Sequence, residues 1–575
     1  MQENAITPAK TKIERLAADL RTLSLRVQQV LGHSAHSLGL TSNILLACVL
    51  VTVGFVVMRG ITKGEFNYNV DETQHAVTGL YAADLIRDHP VRHPIRYTYL
   101  YYAHYPALAG VIHWPPLFYV IEGICFLFWG PRVEAARVSV LLFAFLGLAF
   151  WFRLVRYLLN HWAAALTTLL LGLLPSILLF EKTVMLEVPS LSLCVAATYF
   201  WFRFLLEEDH HALGWFAGFA TAALMTKQNS VYLLLFCALS VLVLRKQRML
   251  ASRRAMYIGA LACLIIVPFY TAVYLIHWRT IAMDLAEPSI SISQRLFFYP
   301  RVLPDQLGWT LLALAALGIA TARFWNKRSD GSVLMLTWII SCYVTFTAIG
   351  HKEPRYALYW VPPSLYFAGG LLANDQLWRP GRKWKVVASG LLVVTTLLSA
   401  WHYERPRVEG YAAAARWVTE AGKPGVILYD GELPGNFIFF VRANDPGRRF
   451  VVLRKALYAY RIKPQGGSEE LIHSSGDLQD LIRGSGVRFV LIENDRPLAF
   501  AGQRWLRELL QTRQFRLAAT FPIIDNYSKV RHRELLCYEN LDWQFPTDKS
   551  LRIRMLTLNQ DIVVPFGELL GGSGR

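Results

Sequence analysis

The sequence contains little charge for its length. Charged residues occupy only 17% of its 575 positions, whereas hydrophobic residues occupy 54%. Soluble domains typically carry about a quarter charged residues, so this composition argues against a soluble globular protein. Several apolar runs approach the roughly twenty residues that a helix needs to cross a bilayer. We therefore expect an integral membrane protein.

The sequence also lacks the motifs of several common functional classes. Its seven cysteines include no CxxC pair and no ligand-like spacing, so we expect small core residues rather than disulfides or a zinc site. No glycine-rich nucleotide-binding fingerprint follows residue 402, and no internal repeat is visible. No small-residue cleavage site follows the first apolar run, which we expect to remain as a signal anchor.

The net charge of +18 is concentrated between the apolar runs. This distribution fits the excess of Lys and Arg in cytoplasmic loops, so we expect no nucleic-acid partner. The strongest basic clusters lie at residues 245–254, 323–328 and 379–385. Counting outward from them places the N-terminus in the cytoplasm and everything after residue 402 outside.

The apolar runs predict about eleven transmembrane helices. They cover approximately residues 40–59, 135–152, 162–180, 188–206, 212–226, 229–245, 256–277, 305–323, 332–350, 356–372 and 385–402. Residues 113–130 are also apolar, but they contain Glu122 and begin with a proline pair. Counting them as a span would break the parity of the topology. We predict a helix in, or dipping into, the outer interface.

These runs divide the chain into three regions. Residues 1–39 form a cytoplasmic segment, in which the periodicity of residues 10–31 predicts an amphipathic helix, either on the membrane or packed on the protein. Residues 40–402 form the transmembrane domain, with a first external loop at 60–134. Residues 403–575 have the short apolar strands, helices and turns of a soluble α/β domain, expected outside the cytoplasm.

The predicted topology places four polar clusters on the outer face. They are Asp71-Glu72 with His75; Glu181-Lys182 through Glu187; Lys227-Gln228-Asn229; and His351-Lys352-Glu353 with Arg355. Each lies near the end of a predicted membrane helix, where charged groups are costly to desolvate and indicate function. Solvated loop charges are the simpler explanation for any one cluster, but they would not be expected to share one face.

Carboxylates and cations together suit displacement at a sugar carbon whose leaving group is a lipid phosphate. A carboxylate can take the proton of an acceptor hydroxyl as general base. Fixed cations can hold the phosphate and stabilise its growing charge. Because soluble nucleotide sugars are not expected outside the cytoplasm, a membrane-borne donor would explain an outward-facing site.

Several short motifs follow one another in a characteristic order. Asp71-Glu72 follows the first span, His113-Trp114-Pro115-Pro116-Leu117 lies later in the same loop, and the stretch from Glu181 to Ser190 precedes another span. Thr226-Lys227-Gln228 comes next, and Arg355-Tyr356 precedes Pro362-Pro363. This series resembles the GT-C class of glycosyltransferases, which use lipid-linked sugars. It is most similar to protein O-mannosyltransferases and bacterial aminoarabinose transferases of lipid A.

The resemblance covers about residues 40–370 and implies roles for individual residues. The first-loop aspartate of the family acts as base or binds the acceptor, which corresponds to Asp71. Glu187 would assist it, although the family usually has Asp there, and Glu72 is either catalytic or positions the loop. The lipid phosphate would contact four cationic or polar residues: Lys227, His351, Lys352 and Arg355.

The predicted function is therefore transfer of a sugar from a polyprenyl-phosphate donor to a hydroxyl of a lipid, glycan or protein, with inversion. The expected location is a bacterial inner or plasma membrane. A divalent metal ion shared by Asp71 and Glu187 is an open alternative within this mechanism, because carboxylates suit hard cations. A transporter or flippase for a lipid-linked sugar is the main alternative function, and a non-catalytic assembly protein is the third.

Overall fold

The computed structural model describes twelve segments of the chain. They are residues 39–66, 70–108, 114–285, 291–325, 329–373, 382–421, 424–454, 456–460, 467–527, 532–544, 550–555 and 560–570. The predicted amphipathic helix at residues 10–31 and His113 of the predicted motif lie outside the described residues.

The region up to residue 402 is helical. Its α-helices are α1 (Leu40–Met58), α2 (Val70–Asp88), α3 (Pro94–His104), α4 (Leu117–Trp129), α5 (Val133–Leu158), α6 (His161–Leu173), α7 (Pro175–Glu181), α8 (Glu187–Glu207), α9 (His210–Leu224), α10 (Tyr232–Val243), α11 (Gln247–Leu250), α12 (Arg253–Leu285), α13 (Ile292–Leu307), α14 (Trp309–Trp325), α15 (Ser329–Ala348), α16 (Val361–Ala373) and α17 (Arg382–His402). Two 3₁₀ helices, Gln228–Val231 and Pro354–Trp360, precede α10 and α16.

Six of the described helices are long and apolar enough to cross a membrane, or eight if two bent pairs each count as one span. The bent pairs are α6 with α7, at 64°, and α13 with the first residues of α14, at 114°. Proline begins α7, and its missing N–H and fixed φ suit the first turn of a helix that starts in a new direction. The predicted polytopic helical fold is confirmed, whereas the count of eleven spans stays a prediction.

Helix α4 contains the apolar run that we predicted to lie in the outer interface. Its 13 residues extend about 20 Å at 1.5 Å per residue, which is less than the ~30 Å hydrocarbon core. Val120, Ile124 and Leu127 are partly exposed on one side, whereas Glu122 is fully buried on the other. The helix packs on α2 and on α5.

The region after residue 402 contains the predicted α/β domain. Its elements are β1 (Val408–Glu409), α18 (Tyr411–Glu420), β2 (Gly425–Asp430), α19 (Pro434–Asn444), β3 (Phe450–Leu453), β4 (Tyr458–Tyr460), β5 (Ser468–Glu470), α20 (Ser475–Ser485), β6 (Val487–Glu493), α21 (Ala501–Leu509), β7 (Phe515–Pro522), β8 (Ile524–Asp525), β9 (Glu534–Asn540), β10 (Ser550–Met555), β11 (Gln560–Pro565) and α22 (Phe566–Leu570).

The central sheet of this domain has the strand order β3-β2-β6-β9-β7. Strands β3, β2 and β6 are parallel, and β9 is antiparallel to β6 and β7. The continuous apolar runs of β2 and β3 are fully buried, as expected of parallel strands covered on both faces. Pro434 occupies the first turn of α19, a position that suits its missing N–H.

Helix α2 joins the two regions. It packs along α4 on one side and against α19 of the C-terminal domain on another. One continuous hydrophobic core therefore includes residues of the membrane helices, of α2 and of the inner face of the central sheet. A second, smaller core lies on the opposite face of that sheet, between α20, α21 and the β10–β11 hairpin.

Candidate active site

A buried ion pair lies at the beginning of α8. Glu187 is the first residue of this helix, and its Oε1 accepts a hydrogen bond of 2.6 Å from Nζ of Lys227. The two side chains are only 2% and 8% exposed. A carboxylate is electrostatically favoured at a helix N-terminus, where N–H dipoles point outward. The lysine lies directly before the 3₁₀ helix that leads into α10.

Arg355 connects this ion pair to Asp71. Its Nε is 3.3 Å from the same Glu187 oxygen, and its Nη1 and Nη2 are each 3.2 Å from Oδ2 of Asp71. Asp71 lies in the first turn of α2 and is 26% exposed, the largest exposure of the four side chains. The structure thus assembles Asp71, Arg355, Glu187 and Lys227 into one network, which we call the acid–cation cluster.

Three hydroxyl groups that follow residues of the cluster in the sequence are hydrogen-bonded to one another. Ser190 Oγ lies 2.8 Å from Ser230 Oγ and 2.7 Å from the phenol oxygen of Tyr359. These side chains follow Glu187, Lys227 and Arg355 by three, three and four residues. Because these hydrogen bonds connect three different segments of the chain, this hydroxyl triad fixes the segments relative to one another.

The charges of the cluster depend on one another. Burial alone would lower the pKa of Arg355, but the charges of Glu187 and Asp71 outweigh it and raise the pKa above its usual range. Burial also lowers the pKa of Lys227, and the charge of Glu187 opposes that shift. Each cation is therefore held by an acid without which its charge would be costly to bury.

One buried carboxylate oxygen of the cluster, Oε2 of Glu187, has no hydrogen-bond partner among the described residues. Nε of Arg355 likewise makes no hydrogen bond there, only the ion-pair contact of 3.3 Å with Oε1 of Glu187. A buried unsatisfied polar atom costs about 1–3 kcal/mol, so the site is better suited to a polar ligand than to remaining empty. Among the described residues, Oε2 of Glu187 is therefore an acceptor available to such a ligand.

These donor groups do not fit the divalent ion considered from the sequence. The two carboxylates face the guanidinium of Arg355 rather than each other, and Oε1 of Glu187 also holds Lys227. The described residues contain no group of three or more side chains able to ligate a metal.

Glu72 belongs to a different environment from its neighbour Asp71. It is fully buried, and its Oε1 accepts a hydrogen bond of 3.1 Å from the backbone N–H of Val184. Successive residues of an α-helix point about 100° apart, so the two adjacent acids cannot share one site. Glu72 joins α2 to the loop before α8, which favours the positioning role over the catalytic one.

His351 and Lys352 also make their described contacts outside the cluster. Lys352 Nζ donates hydrogen bonds to the carbonyl oxygens of Phe346, Thr347 and Ile349, where a cation stabilises the C-terminal end of α15. His351 lies 2.9 Å from the carboxylate of Glu353. Of the four residues predicted to hold phosphate, the structure brings Lys227 and Arg355 together in the cluster.

Three aromatic side chains pack together beside Asp71, and sequence patterns selected His75 within a polar cluster and Trp114 within a motif, but not Tyr119. His75 lies one helical turn after Asp71, and its Nδ1 is 2.7 Å from the hydroxyl of Tyr119. Its ring also packs at 4.5 Å from that of Trp114. The four-residue spacing from Asp71 was the available signal, because it places both side chains on one face of a helix.

Comparisons with known proteins place these observations in a structural class. Residues 113–271 match the family model described as dolichyl-phosphate-mannose-protein mannosyltransferase. This segment contains Glu187 and Lys227 but not Asp71 or Arg355. No curated protein matches the chain.

Solved structures match most of the chain. ArnT from Cupriavidus metallidurans bound to undecaprenyl phosphate is 14% identical, with a TM-score of 0.55, covering 86% of this chain and 97% of that one. Its apo state is 15% identical, with a TM-score of 0.56 and coverages of 85% and 97%. An oligosaccharyltransferase from Archaeoglobus fulgidus gives 10% identity and a TM-score of 0.49, covering 78% of this chain and 68% of that one.

The predicted resemblance to GT-C glycosyltransferases is confirmed by these matches. The chain has an ArnT-like fold, in which a helical membrane region is followed by a domain that contains strands.

Proposed function

We propose that this chain is a membrane glycosyltransferase that moves a sugar from a polyprenyl-phosphate donor to an acceptor hydroxyl. The observation that carries the proposal is the acid–cation cluster, which combines a partly exposed carboxylate with two buried cations. The similar ArnT structure contains undecaprenyl phosphate, which supports a polyprenyl phosphate as the lipid portion of the donor. Both the mannosyltransferase family match and the fold support sugar transfer as the reaction class.

The proposed reaction is a single displacement with inversion. The acceptor oxygen attacks the anomeric carbon and forms the new C–O bond. The bond from that carbon to the phosphate oxygen breaks, and its electron pair stays on the phosphate. Asp71 takes the acceptor proton as general base, a role that needs a carboxylate able to reach substrate. Its 26% exposure makes it the most accessible member of the cluster.

The cations are assigned to the leaving group. Arg355 and Lys227 both contact Oε1 of Glu187, so their charges converge on one point beside Asp71. Two converging cations stabilise the charge that develops on the departing phosphate, and in a buried site they do so without reorganising. Glu187 holds both cations in place, and its Oε2, which has no partner among the described residues, can accept a hydrogen bond from a hydroxyl of the sugar.

We further propose that the site and the C-terminal domain lie on the outer face of the membrane. The basic loops support this orientation, as do the polar residues at the ends of the helices. Topology reporters fused after Glu404 and at Asn67 should both report the outer face, and one at Gln247 should report the cytoplasm. Opposite results at Asn67 and Glu404 would contradict the proposed topology.

The activity itself is tested by sugar transfer in detergent. Purified protein would be incubated with polyprenyl-phosphate sugars carrying a radioactive sugar, together with lipid, glycan and peptide acceptors. We expect label to pass to an acceptor class with release of polyprenyl phosphate, and Asp71→Asn serves as the matched inactive control. Movement of intact donor across vesicles without cleavage would instead identify a flippase and refute the proposed function.

A further inference from the structure

The backbone just before α2 is held from two sides. On the membrane side, the buried side chain of Arg137 donates hydrogen bonds of 2.5, 3.2 and 2.9 Å to the carbonyl oxygens of Ile61, Gly64 and Glu65. On the other side, the C-terminal domain contacts residues 65 and 66. We call residues 61–66, whose backbone is held in this way, the clamp. Only four residues separate the clamp from Asp71, so the position of one constrains the position of the other.

Asn436 makes the first contact from the C-terminal domain. Its amide nitrogen donates a hydrogen bond of 2.6 Å to the carbonyl of Phe66, and its amide oxygen accepts one of 3.2 Å from the N–H of the same residue. Asn436 is completely buried. A paired donor and acceptor fix both the position and the orientation of one backbone unit, which a hydrophobic contact would not do.

Glu65 makes a reciprocal contact into the C-terminal domain. Its carboxylate accepts hydrogen bonds of 3.1, 3.3 and 2.9 Å from the N–H groups of Gly410, Tyr411 and Ala412. These are N–H groups at the beginning of α18, which have no partner within their own helix. The first external loop therefore supplies the N-terminal cap of a helix some 345 residues further along the chain.

A third contact lies immediately after the proposed base. The backbone of α19 at Gly435 packs on Thr73, so closely that a Cβ at Gly435 would be 2.5 Å from the Thr73 Cβ and closer still to its Oγ1. Farther along α2, Arg442 binds Asp84 through two hydrogen bonds of 2.8 and 2.6 Å. Contacts from the C-terminal domain thus lie on both sides of Asp71 in the sequence.

The C-terminal domain contributes none of the four residues of the acid–cation cluster. It grips the backbone that carries one of them, while the other three are fixed by the hydroxyl triad within the membrane region. We infer that the C-terminal domain is a positioning element for the proposed base, in which Gly435 and Asn436 set where α2 begins and so where Asp71 meets Arg355. This inference rests on the proposed function.

The test adds one methyl group at the contact. In Gly435→Ala, the new Cβ must push α19 and the first turn of α2 apart by about 1 Å, a displacement that can cost about a hundredfold in rate. We expect kcat per folded molecule to fall at least tenfold, with the KM for donor changed less than threefold, because the cations stay in place. Gly447→Ala is the matched control, since its Cβ would make only ordinary contacts of 3.5 and 3.7 Å, within its own domain.

A compensating variant distinguishes a displacement of α2 from a general loss of folded structure. Thr73→Gly removes the side chain that the new methyl group meets. The double variant Thr73→Gly, Gly435→Ala should therefore recover most of the kcat that Gly435→Ala loses. Thr73→Gly alone is the reference for this comparison. If Gly435→Ala does not fold, Asn436→Asp takes its place, because its carboxylate oxygen would face the Phe66 carbonyl. Turnover of Gly435→Ala equal to that of Gly447→Ala, or no recovery in the double variant, would overturn the inference.

Amide hydrogen exchange gives a readout that needs no turnover. In Gly435→Ala, amides of residues 70–80 should exchange faster than in Gly447→Ala, whereas those of α8 should not change. If the parent protein shows no sugar transfer, the proposed function fails, yet the exchange result still decides whether the C-terminal domain holds α2. Identical exchange in both variants would refute the positioning role whatever the activity.

Discussion

Two buried acids in this molecule, Glu187 in the membrane region and Asp430 in the C-terminal domain, differ in how completely they are satisfied. Asp430 ends strand β2, and both of its oxygens are hydrogen-bonded, to Gln503 at 2.8 Å and to Arg507 at 3.2 Å. Glu187 uses one oxygen for two cations and leaves the other without a partner among the described residues.

We propose that this difference separates an acid that stabilises the fold from an acid that binds a ligand. Both acids are at least 97% buried and both pair with cations, so burial and charge alone would not distinguish them. An acid with both oxygens hydrogen-bonded contributes to the stability of the fold, whereas an acid with one buried oxygen unpaired can gain a hydrogen bond from a ligand. Glu187 also connects to the partly exposed Asp71 through Arg355.

The most disruptive test of this comparison is to neutralise each acid. Glu187→Gln should leave the buried charge of Lys227 without its acid partner, whereas Arg355 keeps Asp71, and should cost about 3–5 kcal/mol of stability. We expect turnover below about 1% of the parent in the fraction that remains folded, because losing preorganised electrostatic stabilisation of the transition state costs about 10²–10³ in kcat. Asp430→Asn is the matched control, expected to lower the melting temperature but to keep turnover per folded molecule within threefold. Equal loss of turnover in both variants would remove the distinction.

The cations should give the next largest effect. Lys227→Ala and Arg355→Ala each remove one charge-assisted contact to phosphate, worth about 1.5–3 kcal/mol, or ten- to a hundredfold in donor use. Donor binding and initial rates at subsaturating donor would measure this. Lys352→Ala, which removes a cation that contacts the end of α15, should affect donor use much less. Unchanged kinetics in both cluster variants would contradict the phosphate assignment.

The hydroxyl triad should give a smaller effect. Ser190→Ala removes the central hydroxyl that bonds both Ser230 and Tyr359, a loss of about 1–2 kcal/mol. Because the three segments would then be less firmly held, we expect a few-fold decrease in kcat with wild-type membrane insertion. A Ser190→Ala protein with lower stability but unchanged kcat would show that the triad only stabilises the helices.

The smallest expected effect is a pH dependence of folding stability that comes from Glu65 of the clamp. Burial raises the pKa of Glu65 from 4.5 to about 7, while the N–H groups of Ala412, Gly410 and Tyr411 oppose the shift. The folded state therefore binds more protons than the unfolded state between these values, so stability falls as pH rises through that window. Between pH 6 and pH 7 the loss should be about 1 kcal/mol. Thermal unfolding of Glu65→Gln should lack this component, and an unchanged pH profile would contradict it.

Sequence patterns revealed the chemistry of the site better than its geometry. The motifs and their resemblance to GT-C enzymes selected Asp71, Glu187, Lys227 and Arg355, which the structure does bring together. They could not separate Asp71 from Glu72, since this depends on which face of α2 meets the cluster. Nor could they show that Lys352 contacts carbonyls at the end of α15, because a cation after a helix is compatible with either role.

The contacts that join the two regions were beyond sequence reasoning for a different reason. Asn436 and Phe66 are 370 positions apart, and no local periodicity records a contact at that separation. The parallel strands of the C-terminal domain were predictable, since uninterrupted apolar runs between turns are characteristic of buried strands.

The central claim is tested most directly by turnover of Asp71→Asn, normalised to folded protein that binds donor. The amide keeps the shape of the side chain but cannot accept a proton at neutral pH, and donor should still bind through Lys227 and Arg355. Loss of general base catalysis predicts a decrease of at least about a hundredfold. Turnover within about threefold of the parent, far from that loss, would contradict the assignment of Asp71 as base and the mechanism built on it.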